Sequence, residues 1–248
     1  VSEQEYLPQS AMIIHAHPDD QEFTVAGTLA KWAQAGCAIV TVCITSGDSG
    51  SNDPTKGAAY KPELARLREA EQRAANAVLG VKETLFLHYP DGELEATLKL
   101  RKDLTRLIRI HKPDVVMTGD PSVHYYGSGY MNHPDHRAAA QAACDAVFPS
   151  AGTRLIFSDL LDEGLDPHNV KRVYIHGTEN PDTWVDTSGA IEIKIQALKQ
   201  HASQLGDWDP AEEMRSWGNE EGQKKGMQCA EAYKVMILVE DRPQDEGK

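Results

Sequence analysis

Two short stretches of this 248-residue chain gather residue types that can do chemistry together. His17, Asp19, Asp20 and Glu22 fall within one turn-sized segment, and His133-Pro134-Asp135-His136 closes a later loop. With Pro134 at the first helical position, His133 becomes the N-cap and His136 follows one turn later on the same face. One His and one carboxylate from the first stretch, with one His from the second, make a three-ligand N/N/O set. Three protein ligands leave a coordination position open, which marks a catalytic rather than a structural zinc. Blander readings compete. His-Pro-Asp-His is also a capped helix start with a solvated face, and Asp19-Asp20 is also a simple turn or the Mg²⁺ pocket of a receiver-type phosphoacceptor domain, to which Asp91 would add a carboxylate. The receiver reading lacks a Lys closing the segment Val173–His176, and the chain is too long for it. No GxGxxG follows the first strand, so nucleotide binding has no signature. The two clusters together favour the metal.

The elements that must position these clusters alternate. Strand-like runs at 11–15, 38–45, 84–88 and 114–118 are separated by helix-like segments at 27–35, 62–79 and 97–111, and Pro134 opens an alanine-rich helix to Val147. Strands repeated between helices over the first 150 residues predict a parallel sheet covered on both faces. In such a sheet the crevice lies outside the carboxyl ends of the strands. His17–Glu22, Ser46–Asp53 and Asp120–His136 all fall there. Beyond Pro149 the pattern predicts strands at 172–176 and 184–186, a helix at 191–205 and a last strand at 233–239. The expectation is one domain over 1–248, with a core over 1–150 and a C-terminal elaboration over 151–248.

Composition narrows the function classes. The chain carries 25 Lys+Arg against 38 Asp+Glu, a formal charge of −13, which disfavours nucleic acid and anionic membrane as partners. No apolar run approaches the length of about 18 residues that a membrane span needs. Val1 to Gln9 holds two acids and no Lys or Arg, unlike a signal-peptide start. Cys37, Cys43, Cys144 and Cys229 form no CxxC pair and sit among apolar neighbours, so they read as buried thiols in a reducing, cytoplasmic setting.

His15-Ala16-His17-Pro18-Asp19-Asp20-Gln21-Glu22, followed by Gly27-Thr28-Leu29-Ala30, resembles the opening signature of the PIG-L/LmbE family of zinc-dependent N-deacetylases. The resemblance continues through Thr45-Ser46-Gly47, Leu67-Arg68-Glu69-Ala70-Glu71, Leu79-Gly80, Pro90-Asp91-Gly92 and His133-Pro134-Asp135-His136. It persists in Lys199-Gln200-His201-Ala202-Ser203-Gln204 and Ala230-Glu231-Ala232-Tyr233, and so covers nearly the whole chain. It implies a Rossmann-like three-layer α/β/α fold with a mostly parallel central sheet, and one Zn²⁺ held by His17, Asp20 and His136. It further implies Asp19 as general base, a protonated His133 as electrophile and acid with Asp135 orienting it, and Arg68 and Asp91 in substrate contact. One departure stands out: some relatives carry a Tyr two residues before the histidine matching His133, where this chain has Met131, with Tyr130 one place further back.

The function implied is hydrolytic removal of an N-acetyl group from an N-acetylglucosamine-type sugar or conjugate. Its rivals are an amidase acting on a thiol conjugate or antibiotic intermediate, and a metal-dependent ligand-binding protein without turnover. The partner is a small molecule, and a homo-oligomer is left open. Elsewhere the bland reading prevails. His15 reads as a core residue or one behind a ligand, His88, His111, His168 and His176 show no partner pattern, and Lys224-Lys225 reads as solvated surface. His124, in the long loop, is a weak substrate-contact candidate. Trp208 and Trp217, in an irregular stretch, read equally as packing or as a rim for stacking on a sugar.

Overall fold

The computed structural model describes residues 5–240; part of Val1–Gln9, and so part of the signal-peptide reading, lies outside the described residues. The first half runs β1 (Ser10–His15), α1 (Asp20–Thr24), α2 (Ala26–Gln34), β2 (Ala38–Thr45), α3 (Lys61–Leu79), β3 (Glu83–Tyr89), α4 (Leu98–His111) and β4 (Val115–Gly119). A small hairpin, β5 (Tyr125–Tyr126) and β6 (Tyr130–Met131), precedes α5 (Pro134–Asp145). The second half adds β7 (Arg172–His176), β8 (Thr183–Asp186), α6 (Ile191–Leu198), α7 (Ala202–Leu205), α8 (Ala211–Gln223) and β9 (Ala230–Ile237).

Seven strands form one sheet in the order β3-β2-β1-β4-β7-β9-β8. The pairings from β3 through β7 are parallel, and β9 runs antiparallel to both its neighbours. The sheet is covered on both faces, giving three layers. β1 shows why its sequence is continuously apolar: Ala11 and Ile13 face the core under α2 and α3, while Met12 and Ile14 face the core under α4 and α5. On α4, Leu100, Leu104 and Ile108 recur every fourth residue and are wholly buried. Truncating any of them to Ala would cost about 2–5 kcal/mol. The strand order reverses direction between β1 and β4, and at such a switch point the loops splay apart and leave a crevice. Both histidine clusters lead out of it, one directly from β1 and one through the loop after β4.

The expected core matches, and the C-terminal elaboration is more helical than the pattern suggests. The helix expected over 191–205 is two helices, because the chain turns at Lys199–His201 to bury His201, whose Nε2 lies 3.3 Å from Glu22 Oε2. The stretch holding Trp217 is a regular helix, α8, rather than irregular chain. The last strand begins three residues earlier than expected and ends two earlier. α1 and the β5–β6 hairpin are absent from the sequence reading because each spans five residues or fewer. All four cysteines are free, as expected. Among the described residues, no helix is long and apolar enough to cross a membrane.

Candidate metal centre

β1 ends at His15, and the chain then makes a tight turn that sends neighbouring side chains apart. Asp19 takes a left-handed backbone, φ 90°, which is uncommon for a residue with a side chain. Asp20 opens α1 and accepts a hydrogen bond from the His17 backbone N–H at 2.8 Å. Across the crevice, His133 caps α5 as expected: its Nδ1 accepts from the Asp135 N–H at 3.2 Å, with Pro134 behind it. His136 then projects from the first turn of α5.

Three donor atoms converge. His17 Nδ1 lies 3.2 Å from His136 Nε2, His136 Nε2 lies 3.1 Å from Asp20 Oδ1, and His17 Nδ1 lies 3.6 Å from Asp20 Oδ2. Tetrahedral bonds of about 2.0–2.2 Å place ligand atoms about 3.3–3.6 Å apart, so this N/N/O set fits a zinc-sized cation. Electrostatics agree. Burial alone would keep His17 neutral, but Asp20, Asp135 and Asp91 raise its pKa to about 12. Burial opposes charge on His136 too, and Asp20 outweighs it and raises its pKa. Burial pushes Asp20 up, yet His136 and His17 hold it well below the usual carboxylate range. The site is built to hold positive charge. A third imidazole, His133, joins His17 and His136 in a group whose nitrogens all lie within 4.8 Å of one another.

Behind His17 stand two buried carboxylates. Asp91 Oδ1 is 3.0 Å and Asp135 Oδ2 is 3.3 Å from His17 Nε2. Asp91 is itself fixed by the Ser49 N–H at 2.7 Å, and Asp135 by the Gly92 N–H at 2.7 Å. A carboxylate on the far nitrogen of a ligating histidine fixes its tautomer and orientation. Asp91, singled out for substrate contact, thus faces His17 and is 6% exposed. Asp135, singled out as the partner of His133, is nearer to His17; it lies 3.9 Å from His133 Nδ1. Since that nitrogen accepts a backbone N–H, the proton of a neutral His133 sits on Nε2. Burial, with His17 adding to it, lowers the His133 pKa, so the neutral donor is favoured over the imidazolium the resemblance implied.

Asp19 is brought beside this set without joining it. Its Oδ2 accepts from Arg68 Nη2 at 3.0 Å, and its backbone N–H donates to Gln72 Oε1 at 2.9 Å. Burial raises the Asp19 pKa to about 6, against the pull of Arg68. Arg68, 4% exposed, also donates to the carbonyls of Gly47 and Pro18, at 2.9 and 2.7 Å. Gly47 makes that seat available: it has a positive φ, and a Cβ there would lie 2.4 Å from Arg68 Nη1. Arg68, singled out for substrate or oxyanion contact, is oriented toward Asp19.

On the side of Asp20 and His136 opens a cavity of about 700 Å³. Its wall includes His176 from the end of β7, Trp217 from α8, Phe23 from α1, and Tyr126 and Tyr130 from the hairpin. His176 and the hairpin tyrosines were not legible as site residues: each is a single residue at a strand end or on a minimal hairpin. Burial lowers the His176 pKa to about 4, so the ring is neutral. Of the two tryptophans, Trp208 stacks on Phe23 with centroids 6.3 Å apart, and Trp217 lines the cavity. His124 lies off this wall, on a small polar recess of about 190 Å³. Tyr130 lines the cavity, whereas Met131 is exposed. His15 sits behind the site, its Nδ1 2.6 Å from the His17 carbonyl oxygen.

Fold and site together define an α/β protein with a candidate divalent-metal centre at the carboxyl ends of its strands. The family model described as "PIG-L: GlcNAc-PI de-N-acetylase" matches residues 12–147. The diacetylchitobiose deacetylase of Thermococcus kodakarensis is 33% identical over 207 residues, covering 82% of this chain and 74% of that protein. The probable N-acetyl-alpha-D-glucosaminyl L-malate deacetylase 2 of Bacillus anthracis is 26% identical over 202 residues, covering 78% of this chain and 80% of that one. Among solved structures, the N,N'-diacetylchitobiose deacetylase from Pyrococcus horikoshii, complexed with its inhibitor MPG, superposes with a TM-score of 0.84 at 31% identity, over 93% of this chain and 84% of that one. The chain belongs to the PIG-L deacetylase family.

Proposed function

We propose that this protein is a zinc-dependent hydrolase that removes the N-acetyl group from an N-acetylglucosamine-type sugar or sugar conjugate. The observation that carries the reading is a donor set, His17, Asp20 and His136, with atoms 3.1–3.6 Å apart and an uncommitted carboxylate, Asp19, beside it. Family membership supports the reaction, and the relatives' names supply the substrate class: an acetylated amino sugar, free or conjugated.

A dication held there would polarise the amide carbonyl and make water acidic enough to attack near neutral pH. Asp19 takes the proton of that water. Its Oδ2 is held by Arg68, which leaves Oδ1 to receive the proton, and a pKa near 6 suits a group that accepts and then passes one on. His133 donates from Nε2 to the carbonyl oxygen as charge develops, with its other nitrogen fixed by the Asp135 N–H. Asp91 and Asp135 hold His17 in register, and Arg68 holds Asp19. A ligand-binding protein without turnover has no use for a buried carboxylate of raised pKa kept off the metal.

The test pairs metal analysis with product detection. Protein purified without chelator should hold about one Zn²⁺ per chain and release acetate from N-acetylglucosamine or its conjugates. Zinc bound at that ratio with no free amine formed from any of these substrates would exclude the hydrolase.

A further inference from the structure

The large cavity does not surround the whole site; it touches the metal set only through Asp20 and His136. It therefore receives what projects from the scissile amide on that side, away from Asp19 and His133. A second basin of about 520 Å³ continues it, and the two share Phe23, Thr24, Tyr126 and Trp217. Cavities of about 300–1,000 Å³ hold ligands of drug size, larger than one acetyl group needs.

The chemistry of the wall is specific. Among the described residues that line the first cavity there is no Lys or Arg, and Asp20 and Asp120 are its charged groups. Each lysine on the second basin already faces a carboxylate: Lys194 Nζ is 2.7 Å from Glu231 Oε1, and Lys224 Nζ is 2.5 Å from Glu221 Oε1. An anionic group would find no free cation and would meet a chain of net charge −13. The wall offers flat aromatic faces instead, Phe23, Tyr126 and Trp217, which suit the C–H face of a sugar ring. One polar group stands among them unengaged. Neither ring nitrogen of His176 makes a hydrogen bond or ion pair within the described residues, and its neutral ring can donate at one nitrogen and accept at the other.

We infer that this cavity is a binding site for an uncharged second sugar ring joined to the acetylated one, with Trp217 as its stacking face and His176 as its hydroxyl contact. The inference rests on the proposed deacetylase reading and adds the charge and size of the group beyond the reacting sugar. Phosphate- or carboxylate-bearing conjugates are disfavoured by the same wall.

The test is calorimetric binding to the zinc-loaded Asp19→Asn protein, so that affinity is read without turnover. Probes are N-acetylglucosamine, its neutral β-linked disaccharide, its 1-phosphate, and N-octanoylglucosamine. The disaccharide should bind about tenfold more tightly than the monosaccharide, the scale of one good aromatic contact, and the 1-phosphate more weakly than either. Trp217→Ala and His176→Ala should each erase most of the disaccharide's advantage, and Trp217→Phe should restore it. A disaccharide no tighter than the monosaccharide, or a 1-phosphate that matches it, overturns the inference. So does N-octanoylglucosamine as the tightest ligand, which would give the cavity to an acyl chain. Discrimination as expected with no acetate released by the wild-type protein would instead sink the deacetylase reading and leave the cavity assignment standing.

Discussion

Neighbouring aspartates differ in environment more than in identity. Asp20 lies between two imidazoles and is held ionised, whereas Asp19 is buried against one guanidinium with its pKa raised to about 6. Their substitutions should therefore fail differently. Asn tolerates the left-handed backbone that Asp19 adopts, so Asp19→Asn should fold and keep its zinc while turnover falls by about 10²–10⁴, the worth of a general base. Asp20→Asn should lose zinc, because a neutral amide oxygen is a poorer ligand for a dication. Metal content and turnover measured side by side decide it, and a metal-free Asp19→Asn would reverse the two roles. At this scale the candidate site was largely legible, since His17, Asp19, Asp20, His133 and His136 sit in two consecutive motifs. The targets of Asp91, Asp135 and Arg68 were not. Spacing says that a carboxylate is near the site, but only the fold says which imidazole it faces.

Elements are held by pairings that no local pattern announces. The N-terminus of α2 is capped from the other end of the chain: Glu231 accepts from the N–H groups of Gly27 and Thr28 at 2.9 and 2.8 Å, and Lys194 balances its charge. Lys194→Met leaves that carboxylate buried without a counter-ion and should cost about 3–5 kcal/mol. Burial pushes Glu231 up, but Lys194 and the Thr28 contacts win, so its folded pKa lies below the ordinary value. A depressed carboxylate contributes stability above its unfolded pKa and loses it as pH falls through the folded one. The Tm gap between wild type and Lys194→Met should accordingly be widest near neutrality and narrow toward acid; a gap independent of pH would assign the loss to packing. The strands of the core were legible because they are short, apolar and β-branched. α8 was obscured by glycines, and Gly218 is there because a Cβ would lie 2.2 Å from Cys229 Sγ. Close approach to β9, a tertiary demand, overrides the local helix signal.

Across the whole molecule, the proposed ligands tie the loop after β1 to the start of α5, over the point where the sheet changes direction. A cation bound there binds the folded chain and not the unfolded one. Removing it with a chelator should lower Tm, and restoring zinc at about a thousandfold excess over its Kd should return about 4 kcal/mol of stability. Thermal unfolding of chelated and reconstituted protein measures this directly, and identical melting curves would show that the clusters hold no metal in the folded state.

The order of these parts along the chain has a consequence for how such a protein changes over generations. Every group proposed for the chemistry, from His17 to His136, lies inside the segment 12–147 matched by the family model, whereas His176 and Trp217 come from beyond residue 170. Hydrolysis and choice of substrate are thus inherited on separable stretches of sequence. Recombination or drift in the C-terminal third can exchange one aglycone for another while the reacting centre passes down untouched, provided that β7 still pairs with β4 and Glu231 still reaches α2.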